Sequence, residues 1–169
     1  VARPVLVDLG PLVRESCDLC RPQLEQLGIE LLVAATRDEV WIEADPIEIQ
    51  QVLVNILQNA VQALADCPRD QRFLQLTIWL EDGEACVSIA DSGPGFTGPM
   101  IENSFAPFDS TKADGLGMGL SISRTLLERY QGRLTGENRP EGGACIVIYL
   151  PLAAPHERKS EVHADSLCR

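Results

Sequence analysis

Three side-chain amides are spaced so that they share one side of a helix. Asn55, Asn59 and Gln62 lie in a stretch whose apolar residues recur at helical spacing. Asparagine is a poor helix former, so two in mid-helix suggest a use. An amide oxygen can ligate a hard cation such as Mg²⁺. The alternative, from these residues alone, is a set of solvated amides beside a packed helix face.

A buried carboxylate is predicted at Asp91. It follows Val87 and Ile89 at alternate positions, so in a strand its side chain points to the same buried face. A carboxylate there needs a hydrogen-bond donor, and the exocyclic amine of a purine would serve. Residues 92–95, Ser-Gly-Pro-Gly, would let the backbone turn tightly and a flat ligand approach. The alternative is an exposed Asp at the end of a hairpin.

An anion site is predicted where alternating glycines in residues 115–119 run into a helical stretch. Free backbone N–H groups and a helix N-terminus together attract anions. The string is neither a Walker A motif nor a dinucleotide fingerprint, since no Lys-Ser/Thr follows it and no GxGxxG opens a βαβ unit. Lys112, with the hydroxyls of residues 110–111, would supply charge and donors for phosphates, or would simply be a solvated lysine.

A long segment, residues 92–117, is rich in Gly, Pro, Ser and Asp and has little periodicity. A loop of this length within a compact domain is commonly functional. Phe105 and Phe108 flank Ala-Pro within it. They would hinge or dock the loop over a site, or equally anchor it to the core.

Composition narrows the class of protein. The chain has 169 residues, with 14 Lys and Arg against 25 Asp and Glu, for a net charge of −11. This acidity argues against nonspecific binding to nucleic acid or to an anionic membrane. The apolar fraction of 45% supports a core. No apolar run approaches the length of a membrane span, and no signal peptide is visible.

Cysteine usage indicates a reducing, cytoplasmic compartment. Six cysteines in a chain of this size do not make a disulfide scaffold. Cys17 and Cys20 form a CxxC, but no further pair of ligands follows at a spacing suited to zinc. The interpretation we favour is that both lie on the buried face of a helix.

The elements that must position these groups are three helices and six strands. Helical spacing covers residues 11–27, 46–65 and 118–130, and strands are predicted over residues 29–35, 40–44, 74–80, 85–91, 133–137 and 144–150. We expect Asp45, Pro46 and Glu48 to start the second helix with a capping pair, and Pro22 to kink the first or shift its start. Adjacent strands are expected to pair as antiparallel hairpins under helices on one face, an α+β sandwich of two layers.

The order and spacing of four motifs resemble the catalytic and ATP-binding domain of sensor histidine kinases, in the GHKL ATPase superfamily. The similar segments are an N box (Asn55 to Ala63), a G1 box (Asp91 to Gly95), an F box (Phe105 to Phe108) and a G2 box (Gly115 to Leu120). The resemblance covers about residues 5–152. The run from Ser110 through the G2 box is particularly similar to kinases of the nitrogen-regulation and oxygen-sensing type.

The resemblance implies a Bergerat ATP fold, with a mixed sheet covered on one face by three helices. Residues 1–152 would form the domain, with residues 95–116 as a lid and residues 153–169 as a flexible tail. ATP and Mg²⁺ are the implied cofactors. By resemblance, the catalytic residues are Asn55, Asn59 (the Mg²⁺ ligand) and Lys112, and the further ATP-binding residues are Gln62, Asp91, Gly93, Gly95, Phe108, Ser110, Thr111, Gly115, Leu116, Gly117, Met118, Gly119 and Leu120.

Three departures from the family pattern bear on activity. ATP-hydrolysing relatives place a Glu general base four residues before the metal Asn, whereas this chain has Asn55 there, which favours phosphoryl transfer to a protein nucleophile. Gln62 stands where many kinases have Lys or Arg. Residues 130–132, Tyr-Gln-Gly, replace a common His-Gly-Gly, and we expect little consequence.

The resemblance also implies partners. The phosphoacceptor His of such kinases lies on a helical dimerisation domain before the N box, whereas both histidines of this chain, His156 and His163, follow the last predicted strand. The expected partners are therefore the dimerisation domain of the parent kinase and a downstream response regulator, without nucleic acid or membrane contact. The expected location is cytoplasmic, including the cytoplasmic part of a membrane-bound sensor. The alternatives are a nucleotide-binding switch without phosphotransfer and a GHKL-type ATPase.

Overall fold

The computed structural model describes residues 2–35, 38–96 and 116–153, without the side chains of residues 116–118. Within these ranges it contains three helices, one short 3-10 turn and seven strands. In chain order they are β1 (Val5–Asp8), α1 (Leu9–Leu27), β2 (Glu30–Ala35), β3 (Trp41–Ala44), α2 (Pro46–Ala65), the 3-10 turn (Arg69–Gln71), β4 (Phe73–Glu81), β5 (Glu84–Asp91), α3 (Leu116–Glu128), β6 (Arg133–Asn138) and β7 (Ala144–Pro151).

The central sheet is mixed and has five strands in the order β2-β4-β5-β7-β6. β2 runs parallel to β4, and the other neighbours are antiparallel. The three helices pack on the sheet, and the apolar side chains between the two layers form the core. The predicted α+β class, with three helices on a mixed sheet, is confirmed.

The expectation that β2 and β3 pair as a hairpin is wrong. β3 instead pairs antiparallel with β1, a four-residue strand that the sequence pattern did not predict. β2 lies parallel to β4, because the chain between them includes α2, and a helical crossover is what a parallel neighbour requires. The antiparallel hairpins expected between β4 and β5 and between β6 and β7 are confirmed. Their turns contain Asp82-Gly83 and Gly142-Gly143, and all four residues have positive φ.

α1 runs without interruption through Pro22. Pro22 is exposed, so the carbonyl that it leaves without a helical partner lies on the solvent side, where water can bind it. Gly28 ends the helix in a left-handed conformation, with φ 63°. Cys17 and Cys20 are free and buried, which confirms their core interpretation, and burial raises the pKa of Cys17 to about 11.

α2 begins as predicted at Asp45 and Pro46, where the Asp45 carboxylate accepts a backbone N–H of the first turn at 2.9 Å. Half of the expected capping pair is present, because the Glu48 backbone N–H bonds the Asp45 carboxylate and helps to lower the pKa of Asp45. The other half, a bond from the Asp45 N–H to the Glu48 side chain, is not found among the described residues. The Glu48 carboxylate instead accepts from the Tyr130 hydroxyl at 2.5 Å and from Arg129 at 2.6 Å, since both donors reach it from the end of α3. These bonds fasten the start of α2 to the end of α3.

The C-terminal ends of α1 and α2 share one guanidinium. Arg72 donates to the carbonyls of Leu27 at 2.5 Å, Ala65 at 2.7 Å and Cys67 at 3.0 Å. The last carbonyls of a helix have no N–H partner within the helix, and neither α1 nor α2 has a basic residue in its last turn. Arg72, in the connection between α2 and β4, supplies the missing donors. Arg69 adds a bond to the last turn of α1.

Several predictions lie outside the described residues. They include most of the long loop, with Phe105 and Phe108, and residues 154–169 of the expected tail. Ala153, the first residue of that expected tail, is described, and its N–H donates to the carbonyl of Trp41 at 2.8 Å. Of the helices in residues 2–35, 38–96 and 116–153, none combines the length and apolarity needed to cross a membrane.

Candidate functional site

One side of α2 carries Asn55, Asn59 and Ala63 at intervals of four residues. Asn55 and Asn59 are half-buried, whereas Gln62 is exposed. This side lies next to the apolar stripe that packs into the core, so the two asparagines sit at the border between the core and the surface.

The amide of Asn59 is buried but incompletely bonded. Its Nδ2 atom is the buried side-chain nitrogen that has no hydrogen-bond partner within the described part of the chain. A Cβ atom added at Gly119, in the first turn of α3, would lie 3.9 Å from Asn59 Oδ1. A buried polar group without a partner costs about 1–3 kcal/mol. The Asn59 amide therefore lies beside the start of α3 with one donor unpaired. A ligand that accepts a hydrogen bond from this donor would offset the lost free energy.

Asp91 ends β5 and is 6% exposed, so the exposed alternative is wrong. Its Oδ1 atom accepts the N–H groups of Gly93 at 2.8 Å and Ala144 at 3.3 Å. Among the described residues, no hydrogen bond to Oδ2 is found. Burial raises the pKa of the Asp91 carboxyl, while these two N–H groups and the Arg139 guanidinium act to lower it.

The raised pKa predicts how Asp91 affects stability. A carboxyl with a higher pKa in the folded state adds stability below its unfolded pKa and loses it as the pH rises through the folded value. Relative to wild type, Asp91→Asn should therefore gain thermal stability as the pH rises from about 4, the pKa of an aspartate in an unfolded chain, upward. Thermal unfolding of both proteins without nucleotide across this range measures the difference. A difference that stays constant or shrinks as the pH rises would contradict it.

The segment after Asp91 is held close to its neighbours. The Ser92 hydroxyl accepts the N–H of Phe73, the first residue of β4, at 2.8 Å and donates to the carbonyl of Gln71, in the 3-10 turn, at 2.6 Å. A Cβ added at Gly93 would lie 3.3 Å from the backbone oxygen of Ala63, so the absence of a side chain lets this segment approach α2. The Asp91 end of β5 and the Asn59 side of α2 thereby border one region.

The turn between β6 and β7 also borders this region, and sequence reasoning missed it. Arg139 Nη1 donates to the Asp91 carbonyl at 3.0 Å, and the Asn138 amide bonds the backbone of Phe96. A Cβ at Gly143, where φ is 92°, would fall 1.9 Å from the Asp91 carbonyl oxygen. The Gly142-Gly143 pair predicts the turn but not what the turn touches.

α3 starts at Leu116, two residues earlier than predicted, so Gly117 and Gly119 lie in its first turn. Leu120 is buried, and Ser123 is buried with its hydroxyl bonded to the Gly119 carbonyl at 2.9 Å. Five of the residues predicted to bind ATP lie outside the described residues; they are Phe108, Ser110, Thr111, Lys112 and Gly115. The structure thus brings Asn59 to the first turn of α3, and Asp91 to the turn before β7.

Residues 44–154 match the family described as histidine kinase-, DNA gyrase B-, and HSP90-like ATPase. This range contains α2, the segment after Asp91 and α3, the parts that form the site. The chain belongs to this family, whose domain binds ATP.

The curated relatives specify the kind of family member. Sensor histidine kinase ZraS of Klebsiella oxytoca is 35% identical over 146 residues, which are 86% of this chain and 31% of ZraS. Sensor protein FixL of Bradyrhizobium diazoefficiens is 34% identical over 145 residues, which are 86% of this chain and 28% of FixL. The chain spans under a third of the length of these relatives.

Solved structures agree with this assignment. The nucleotide-free catalytic domain of histidine kinase ThkA is 29% identical with a TM-score of 0.78, over 88% of this chain and 95% of that one. Full-length ShkA in complex with AMPPNP is 28% identical with a TM-score of 0.77, over 90% and 32%. ThkA in complex with the response regulator TrrA is 27% identical with a TM-score of 0.76, over 90% and 43%. Within its family, this chain is the ATP-binding catalytic domain of a two-component sensor histidine kinase.

Proposed function

We propose that this domain binds Mg-ATP and transfers the γ-phosphoryl group to a histidine on a separate helical dimerisation domain. A response regulator would then take the phosphoryl group. The observation that carries the proposal is Asn55, which lies on the same side of α2 as Asn59, one helical turn before it. An amide there cannot act as a general base toward water, whereas positioning and charge neutralisation suffice for transfer to a protein nucleophile.

The adenine would bind at Asp91. The carboxylate has Oδ1 committed to two backbone N–H groups, so Oδ2 is the atom proposed to accept the exocyclic amine. Gly93 and Gly95 would shape the pocket for the flat base. Full-length ShkA was solved in complex with AMPPNP, and its similarity to this chain supports nucleotide binding by the domain.

The phosphates would lie between Asn59 and the first turn of α3, where N–H groups at a helix N-terminus favour anions. We propose that Gly117 and Gly119 leave room for them there. The remaining contacts proposed for the nucleotide come from Asn55, Gln62, Phe108, Ser110, Thr111, Lys112, Gly115, Leu116, Met118 and Leu120.

The residues present fit a Mg²⁺ ion that is shared with the nucleotide. In the described part of the chain, no group of three or more His, Cys, Asp or Glu side chains could hold a metal. Asn59 supplies an amide oxygen, and Mg²⁺ commonly takes one or two protein oxygens together with substrate phosphates. Bound there, the ion would neutralise phosphate charge. Asn59 itself would fix the position of the phosphate chain.

The proposed partners follow from the same reaction. ThkA has been solved in complex with the response regulator TrrA, and its similarity to this chain supports a response regulator as the downstream partner. The phosphoacceptor would come from the dimerisation domain of the parent kinase. We further propose that residues 1–152 form the domain, that residues 153–169 form its tail, and that the domain acts in the cytoplasm.

Phosphoryl transfer from radiolabelled ATP tests the proposed function. The chain is mixed with the dimerisation domain of its parent kinase, Mg²⁺ and γ-labelled ATP. We expect label on that domain that is lost in acid and kept in base, as for phosphohistidine. Release of the label as free phosphate without labelled protein would indicate an ATPase instead. Nucleotide binding with neither outcome would indicate a switch, and both results contradict the proposal.

A further inference from the structure

We propose that Arg139, with Asn138 beside it, is a positioning residue of the nucleotide site, because the two hold both ends of the segment that carries Asp91. This inference rests on the proposed function, in which Asp91 accepts from the adenine amine. Neither side chain belongs to the four sequence motifs. Asn138 is the last residue of β6, and Arg139 follows it in the turn to β7.

Arg139 holds the Asp91 end of the segment. Its Nη1 donates to the Asp91 carbonyl at 3.0 Å and its Nη2 to Glu141 at 2.7 Å, with 17% of the Arg139 side chain exposed. Its backbone N–H closes the turn on the Gly143 carbonyl at 2.8 Å. Since Gly143 packs directly on the Asp91 carbonyl, Arg139 fixes both the peptide of Asp91 and the turn that supplies the N–H of Ala144.

Asn138 holds the other end, at Phe96. Its Oδ1 accepts the Phe96 N–H at 2.7 Å and its Nδ2 donates to the Phe96 carbonyl at 3.1 Å. One side-chain amide thus satisfies both backbone groups of a residue, as a neighbouring strand would. Gly95 has φ 78°, and a Cβ there would lie 2.7 Å from Asn138 Oδ1. The absence of a side chain at Gly95 therefore permits this contact.

The consequence is a fixed direction for the Asp91 carboxylate. With its peptide bonded to Arg139 and its Oδ1 bonded on both sides, the carboxylate has little freedom to rotate away from a base. Arg139 also brings positive charge toward a buried carboxylate. Loss of Arg139 would leave Asp91 in place but less restrained, so its effect on affinity should act through Asp91.

A double-mutant cycle on nucleotide affinity tests this dependence. Calorimetry with Mg-ADP is done on the 169-residue chain as wild type, Arg139→Ala, Asp91→Asn and the double variant. We expect Arg139→Ala to weaken binding about tenfold in wild type and less than about twofold beside Asp91→Asn. A role confined to stability would leave the affinity of the folded protein unchanged, and a role independent of Asp91 would weaken binding equally in both backgrounds. Equal losses, or an unchanged affinity of Arg139→Ala, would overturn the proposal.

Two further variants keep the test decisive. Arg133→Ala is the matched control, because Arg133 lies at the opposite end of β6 and pairs with Glu84, so its affinity should equal that of wild type. If Arg139→Ala fails to fold, Arg139→Lys takes its place in the cycle. It should weaken nucleotide binding less than Arg139→Ala, and again more in wild type than beside Asp91→Asn. The cycle measures binding alone, so intact Mg-ADP binding without transfer to histidine would overturn the proposed function and leave the positioning role standing.

Discussion

Asn59→Ala is expected to lower phosphoryl transfer at least about a hundredfold, the usual cost of removing one preorganised polar group from a transition state. The substitution removes the amide oxygen proposed to meet Mg²⁺ and the phosphates. It also removes a buried nitrogen that has no partner in the described residues. Folding stability should therefore stay equal or rise while activity falls, which is typical of a residue kept for function.

Transfer rate, thermal unfolding and Mg²⁺ dependence of ADP affinity together check this expectation. In Asn59→Ala, added Mg²⁺ should no longer strengthen ADP binding. Gln58→Ala is the matched control, because Gln58 precedes Asn59 on α2 but is exposed. A variant that transfers phosphate within about threefold of wild type would remove Asn59 from the mechanism, since even one lost hydrogen bond exceeds that effect.

Arg72→Ala is expected to destabilise the fold by about 3 kcal/mol, because three backbone carbonyls lose a charged donor at once. For a domain of this size the melting temperature should fall by roughly 10 °C. The loss arises at the joint ends of α1 and α2. Arg72→Lys should recover only a small part, since an ammonium group lacks the planar fork that reaches all three carbonyls.

Urea unfolding of each variant measures the change. Arg21→Ala serves as the control, because Arg21 is exposed and pairs with Asp18 within α1. Its unfolding midpoint should match that of wild type. An Arg72→Ala protein within about 1 kcal/mol of wild type would show that water replaces the guanidinium at these carbonyls.

Apolar periodicity and turn residues predicted the helices and hairpins whose signals lie within a short stretch of sequence. α2 has a strong apolar stripe and the Asp45-Pro46 start, and the turns at Asp82-Gly83 and Gly142-Gly143 need the positive φ that such residues allow. The four motifs predicted the family. β1 was missed because four residues carry little pattern and because its partner, β3, lies more than thirty residues away.

What the sequence did not predict depends on distant contacts between polar residues. Arg72 reaches the end of α1 across 45 residues, and Arg139 reaches Asp91 across 48. Nothing in the neighbourhood of either arginine distinguishes it from a solvated surface residue. Such roles become visible only when the fold places a carbonyl beside the guanidinium, because hydrogen-bond partners, unlike apolar faces, leave no periodic signal.

β3 has a mechanical consequence. Val5–Asp8 pairs with it on one side, while Leu152 bridges Ile42 and Ala153 bonds Trp41 on the other. Both neighbours run antiparallel to β3, so they run parallel to each other. A pull on the two ends of the described chain would load this joint in shear along about 10 Å of strand. Asn59 and Asp91, the described residues of the proposed ATP site, lie outside this joint, so force applied at the two ends would act first on the pairings of β3.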